Sequence, residues 1–120
     1  MIFAEERSCQ TQFELGQMFR ENVDETGDLS QSAEWFKRSA QKGYRKAQYK
    51  IGVMYARGVG VCADHIKAYA WLKVAASQGS KKALTCLTKL SKKMSSSELN
   101  QAHVKSREYY EKFVVPFDHV

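Results

Sequence analysis

Asp64 and His65 stand side by side, and a carboxylate next to a histidine is the pair that a general base and its orienting acid require. Adjacent residues at a helix start point in different directions, however, and no Ser or Cys nucleophile has a matching spacing. We therefore interpret Asp64 as a helix cap and His65 as a structural or surface histidine. The sequence predicts no catalytic residue and a protein that is not an enzyme.

Metal and redox chemistry would need clusters of thiols, imidazoles or carboxylates. Cys9, Cys62 and Cys86 are an odd number without CxxC spacing, which predicts free thiols. His103 and His119 have no neighbouring cluster of Cys, Asp or Glu. We therefore predict no metal and no cofactor.

The glycines of the loop at 57–61 do not form a nucleotide-binding motif. Gly58 and Gly60 resemble part of a dinucleotide fingerprint, but no strand precedes them and the third glycine is missing. We interpret this loop as a turn between two helices.

Length and composition predict a single all-α domain, residues 1–120. The chain has one proline and is rich in Ala, Lys, Gln, Glu and Leu, which favours helix over sheet. Its first residues carry charges where a signal peptide needs an apolar run, and no stretch reaches membrane-spanning length. We expect a cytoplasmic protein, unless a secretion signal has been removed, and no membrane contact.

An internal repeat organises the chain, because residues 13–43 align on 49–79 without a gap. The register continues into a third unit and fades near residue 91, so the sequence holds two repeats and the first helix of a third. The pairs that differ by 36 positions include Gly16 and Gly52, Phe19 and Tyr55, Asp28 and Asp64, Trp35 and Trp71, Ala40 and Ala76, Gly43 and Gly79, and Ala47 and Ala83.

Each repeat reads as two helices that can stack on their neighbours. In the second repeat, apolar residues at helical spacing run from Ala47 to the glycine-containing loop, and Asp64 then starts a helix that ends at Gly79. Trp71 and its counterpart Trp35 are predicted to pack in the repeat core, because one helical hairpin cannot bury a tryptophan alone.

A further helix is predicted to close the C-terminal end of the array. Ser95 and Glu98 have the spacing of a capping box. We expect a helix of about 17 residues that covers the third helix pair and ends at Pro116, followed by a loosely docked or disordered tail at 117–120. Its apolar face is predicted to contain Leu99, Ala102, Ser106, Tyr109, Tyr110 and Phe113.

Taken together, these motifs resemble the Sel1-like repeat family over residues 10–93. The resemblance implies a right-handed α/α superhelix, a solenoid related to tetratricopeptide arrays. It would contain two helix-pair repeats, at about 8–43 and 44–79, and a third helix with the C-terminal capping helix at about 80–115. The matching residues are 47–55, 58–61, Asp64, Lys67, Ala68, Trp71, Leu72, Ala75, Ala76 and Gly79.

The first repeat departs from this pattern at two places. Asn22, Val23 and Asp24 replace the Gly-Val-Gly loop, and Ser32 replaces the alanine found at Ala68. Asn and Asp tolerate left-handed backbone, so the loop can still form. We predict that the first repeat is looser than the second.

Charge is distributed unevenly along the chain. Residues 1–34 carry two basic and eight acidic groups, residues 35–93 fourteen and one, and residues 94–120 three and four, which gives −6, +13 and −1. Basic side chains also keep a solenoid soluble, but a merely soluble face would mix both signs. The middle section is therefore predicted to attract an acidic partner.

The resemblance implies a non-catalytic adaptor or scaffold that binds a protein through its concave face, lined by the first helix of each repeat. Tyr49 is the predicted anchor, with core packing as its alternative role. Binding of nucleic acid or another polyanion through the basic section remains the alternative function. We expect a monomer, or weak self-association through the solenoid ends. The predicted partner-binding residues are Arg45, Tyr49, Lys50, Val53, Lys81, Thr85 and Lys89.

Overall fold

The part of the chain that the structure describes is mainly helical. The computed structural model describes residues 2–21 and 29–117, and in the first helix it describes the side chains of residues 9–18. These ranges contain no strand, which confirms the all-α prediction. The loop at 22–24 and the residues at 118–120, with His119, lie outside the described residues. The elements are α1 (Ile2–Glu21), α2 (Ser30–Gln41), α3 (Arg45–Arg57), α4 (His65–Ser77), α5 (Lys81–Ser91), α6 (Ser96–Phe113) and a short 3-10 helix (Val115–Phe117).

Several helix ends fall where the sequence predicts them. Asp64 caps α4, since its Oδ1 accepts hydrogen bonds from the amide groups of Ile66 and Lys67, both at 3.0 Å. Gly58 follows α3 with φ of 70°, and Gly79 follows α4 with φ of 98°. Residues with a Cβ atom adopt such positive φ angles only with strain. These residues turn the chain back on itself and so produce antiparallel helix pairs.

Glycines allow the two helices of each pair to approach closely. A Cβ atom on Gly16 of α1 would lie 2.8 Å from the Phe36 ring of α2, and one on Gly52 of α3 would lie 2.9 Å from Leu72 of α4. These two glycines are 36 residues apart, as predicted. The helices of the α1–α2 pair and of the α3–α4 pair therefore make their close contact at the same position of the repeat.

Trp71 of α4 is the largest side chain in the core and is 2% exposed. Its ring lies between residues of α6, with centroid distances of 4.7 Å to Tyr109 and 5.1 Å to Phe113. Burial of such a ring removes a large apolar area from water and stabilises the fold by several kcal/mol, on the order of 3 to 5. The C-terminal helix thus completes the core around α4.

The prediction that Trp35 packs in the repeat core is wrong. Its ring is half-buried and carries the Arg38 guanidinium at 4.9 Å from the ring centroid. Phe36, the next residue, is fully buried and occupies the core side of α2. The two tryptophans share a register position but not an environment, because only Trp71 is covered by the aromatic residues of α6.

The capping helix α6 packs along α4 and not on α5, which corrects the prediction that it covers the third helix pair. The capping box at Ser95 and Glu98 is present. The packing side differs because α6 buries the Trp71 ring of α4 beneath Tyr109 and Phe113. Burial against α4, together with nearby Tyr55 and Asp64, raises the pKa of Tyr109 to about 12.

The apolar face of α6 is narrower than predicted. Ala102 and Ser106 are buried, and Tyr109 and Phe113 are half-buried, but Tyr110 is 39% exposed. Tyr110 follows Tyr109 directly and therefore points about 100° away from it around the helix.

Two buried polar side chains connect neighbouring helices. Gln48 of α3 is fully buried, and its Nε2 donates to the carbonyl groups of Ala40 at 3.1 Å and Phe113 at 3.3 Å. Ser32 of α2 is also buried and donates to the carbonyl of Gly16 at 2.7 Å. The serine that replaces the alanine of the second repeat is thus hydrogen-bonded; the looser first repeat stays a prediction.

Candidate functional site

A groove of about 620 Å³ crosses α1, the start of α3 and the start of α5, and we call it the central groove. Its lining combines aromatic side chains with a cationic wall. The lining residues are Gln10, Phe13, Glu14, Gln17, Tyr44, Arg45, Lys46, Tyr49, Lys50, Gly79, Ser80, Lys81 and Lys82.

The aromatic part of the groove is anchored in the core. Phe13 is 7% exposed and packs on Phe36 and Tyr44, with ring centroids 5.4 Å and 5.3 Å away. Tyr44 and Tyr49 are half-buried and pack against the same core. These rings form a fixed apolar surface that a bound side chain can contact.

The side of the groove formed by α3 and α5 is basic. Five cationic side chains line it, whereas α1 contributes one acid, Glu14, which accepts a hydrogen bond from Gln10 at 3.3 Å. The N-terminal ends of α3 and α5 lie on the same wall, and helix starts carry partial positive charge. A bound segment would therefore meet positive potential along α3 and α5. The cationic residues are Arg45, Lys46, Lys50, Lys81 and Lys82.

Arg45 is held in place by the end of α4. Its Nη1 donates to the carbonyl of Gln78 at 3.0 Å. The guanidinium group has five N–H donors, so this bond orients the group and leaves other donors for a ligand.

Tyr49 lies at the centre of the site, facing α5. Burial raises the pKa of the Tyr49 hydroxyl, and the neighbouring Cys86, which shares a hydrogen bond with it, raises that pKa further, while Arg57 lowers it. Burial likewise raises the pKa of Tyr44, with smaller contributions from Cys9 and Glu14. Both hydroxyl groups are therefore neutral at physiological pH.

A smaller groove of about 170 Å³ continues along α3 and shares Tyr49 and Lys50 with the central groove. Its remaining lining is mainly apolar and ends in one cation. These residues are Leu29, Val53, Met54, Arg57 and Val59.

The predicted binding residues fall into two sets. Arg45, Tyr49, Lys50 and Lys81 line the central groove, and Val53 lines the smaller one.

Thr85 and Lys89 are exposed on α5 and line neither groove. The hydroxyl of Thr85 instead donates to the carbonyl of Lys81 at 3.1 Å. Only the first turn of α5 reaches the central groove.

Sequence reasoning missed the contribution of α1. The repeat register contains the signal: subtracting 36 from Tyr49, Lys50 and Val53 leads to 13, 14 and 17, where Phe13, Glu14 and Gln17 line the groove. The same offset relates Gln10, Lys46 and Lys82. Extension of the predicted face by one repeat would have found Phe13, Glu14 and Gln17, but not Gln10, because Lys46 was not among the predicted residues.

Among the other groups that could do chemistry, the Asp64 carboxylate caps α4 through its Oδ1. Among the described side chains, at 9–18 and 29–117, no group of three or more His, Cys, Asp or Glu could hold a metal ion. No helix in this part of the chain has the length and apolar character to cross a membrane.

Comparison with known proteins identifies the repeats. The family model described as Sel1 repeat matches residues 10–44 and 45–80. Among solved structures, a protective antigen present in uropathogenic Escherichia coli strains, which displays an SLR fold, superposes with a TM-score of 0.82 over 91% of the chain at 28% identity. A Sel1 repeat protein from Oxalobacter formigenes superposes with a TM-score of 0.65 over 87% of the chain at 22% identity.

The chain spans 24% of the length of the first protein and 45% of the second. No curated protein matches the chain.

Proposed function

The chain belongs to the Sel1 repeat family, and from this premise we propose that it is a non-catalytic adaptor that binds an acidic protein segment in the central groove. The fold is an all-α solenoid, and Sel1 repeats are typically protein-interaction scaffolds without catalytic activity. The partner and the binding face are the parts that we propose.

The observation that carries the proposal is the combination of an aromatic surface and a cationic wall in one groove. Phe13, Tyr44 and Tyr49 provide contact area, and five cations face a single acid across it. Aromatic anchors surrounded by polar groups are typical of sites where a few side chains supply most of the binding energy.

The size of the central groove supports a short segment as the ligand. A volume of about 620 Å³ accommodates a few side chains, not a whole domain. An apolar side chain of the segment would contact Tyr49, while its acidic side chains would meet Arg45 and Lys81.

The aromatic surface also distinguishes a peptide from a polyanion. Nucleic acid binding through phosphate contacts needs the cations alone, and Glu14 on the opposite wall would repel a second row of phosphates. The five cations nevertheless favour polyanion binding as the second candidate, which the experiment below separates from the first.

The test captures partners from native extract with the unmodified chain and with the variants Lys81→Glu and Tyr49→Ala. Lys89→Glu is the matched control, because it makes the same charge change on α5 outside both grooves. Circular dichroism verifies that each variant is folded. We expect a protein partner that survives nuclease treatment, is lost with both groove variants and is retained by Lys89→Glu.

Other outcomes would contradict the proposal in different ways. Equal loss with Lys89→Glu would mean that overall charge, not the groove, determines binding. Loss of all binding on nuclease treatment, with affinity that falls by orders of magnitude between about 50 and 200 mM salt, would favour the polyanion function. Retention of the partner by Tyr49→Ala would contradict the role of Tyr49 as the aromatic anchor.

A further inference from the structure

The face of α5 that should receive a partner helix is exposed. In the second repeat, the corresponding face of α3 packs on α4: Gln48 accepts a hydrogen bond from the Gln78 side chain, and Gly52 lies against Leu72. The residues 36 positions later are Leu84, which is 55% exposed, and Thr88, which is also exposed. Because α6 packs on α4, it does not cover this face.

A second exposed face lies on α1 at the other end of the array. Ala47, Ile51 and Met54 of α3 are buried in the hydrophobic core. The residues 36 positions earlier are Thr11, Leu15 and Met18. Thr11 is exposed, Leu15 is half-buried and Met18 is 55% exposed.

The charges of the two ends are complementary. Residues 2–21, which form α1, contain four acidic and two basic groups and have a net charge of −2. Residues 81–93, which contain α5, hold five lysines and no acid, a net charge of +5. The opposite net charges of the two segments favour association of α1 with α5 over pairing of either helix with a copy of itself.

We propose that two copies of the chain associate head to tail, with α1 of one copy occupying the face of α5 that α6 leaves exposed in the other. The contact buries Leu84 against Leu15 and Met18, and the lysines of α5 flank the acidic helix. The interface joins two different faces and is therefore heterologous, so that further copies can add at both ends.

Sedimentation velocity on the full chain, between about 10 µM and about 1 mM, measures this association. We expect the average mass to rise with concentration and to fall when salt is raised, because screening weakens the charge complementarity. Leu84→Glu and Met18→Lys each place a charge that the opposite face repels. Each variant is expected to weaken association on the order of tenfold or more.

Mixing the two variants tests the head-to-tail geometry directly. An equimolar mixture restores association, since the Met18 face of one variant is intact and can bind the intact Leu84 face of the other. Pairing of α1 with α1 would instead leave Leu84→Glu fully associated, and no recovery would occur on mixing.

Val104→Glu provides the matched control, because Val104 is 58% exposed on α6 and belongs to neither face. We expect it to associate like the unmodified chain, and circular dichroism verifies the fold of all variants. A mass that stays monomeric over the whole concentration range would overturn the proposal, as would unchanged association of Leu84→Glu. Leu84 and Met18 line neither groove, so this result is independent of partner binding.

Discussion

Trp71 and Trp35 illustrate how one register position can have two different roles at the scale of single residues. Trp71 is buried beneath Tyr109 and Phe113, whereas Trp35 is half-buried beside Arg38. The energetic value of a side chain depends on the apolar area that it loses to its neighbours, not on its place in a repeat.

Alanine substitutions should separate the two tryptophans. We expect Trp71→Ala to lower the free energy of unfolding by about 3 to 5 kcal/mol, because it leaves a cavity under α6. Trp35→Ala should cost about 1 kcal/mol or less, since it removes a partly exposed ring and a cation–π contact. Urea denaturation measures both values, and equal losses would contradict the environments described above.

At the scale of elements, α6 is set by its first turn and by its packing on α4. The amide of Ser95 donates to Glu98 Oε1 at 3.0 Å, and the amide of Glu98 donates to Ser95 Oγ at 3.1 Å. These reciprocal bonds satisfy two donors that a helix start otherwise leaves to water. The cap thus specifies where α6 begins, while Trp71 specifies what it covers.

The capping box makes α6 sensitive to acid. The hydrogen bonds with Ser95, the backbone bond first, lower the pKa of Glu98 below its usual 4.5, with a small further lowering by His65. A lowered folded pKa stabilises the fold above the unfolded pKa, and this stabilisation is lost as pH falls through the folded pKa.

We therefore expect Glu98→Gln to reduce the stability of the fold at neutral pH. We also expect the variant to lose less stability than the unmodified chain when the pH falls below about 4.5. Thermal unfolding followed by circular dichroism at several pH values measures this, with Glu111→Gln on the same helix as the control. Identical acid limbs for Glu98→Gln and the unmodified chain would argue against a role of the cap.

At the scale of the whole molecule, the chain is a thin plate of 44 × 43 × 20 Å. A thickness of about 20 Å corresponds to two layers of helices. In such a plate each helix is covered on few sides, so one additional helix determines whether α4 is in the core or at the surface. The buried Gln48 connects the ends of α2 and α6, so that α6 also stabilises the α2–α3 turn.

Removal of residues 95–120 should therefore affect the whole fold. We expect the shortened chain to expose Trp71, to shift its fluorescence emission to longer wavelength and to lose cooperative unfolding, because the core depends on α6. Tyr110→Ala, a change at an exposed position of the same helix, is the control and should leave the emission unchanged. A shortened chain that unfolds cooperatively with a buried Trp71 would contradict this role of α6.

Local signals in the sequence were sufficient to predict the all-α fold class, the repeat and several helix ends. Asp64, Gly79 and the pair Ser95 and Glu98 act through hydrogen bonds or backbone conformation within a few residues, so their types and spacing are enough. The 36-residue register likewise predicted that Gly16 and Gly52 are equivalent positions, and the structure shows a close helix contact at each.

Only the tertiary structure decided which helix α6 covers and which side chains meet in the grooves. Trp35 and Trp71 look equivalent in sequence, and Thr85 looks equivalent to Tyr49, but burial depends on neighbours that are distant along the chain. The choice of α4 over α5 as the partner of α6 follows from the stacking of Trp71 with Tyr109 and Phe113. Such long-range packing is not encoded in spacing, because a repeat register relates positions within the array and not the contacts at its end.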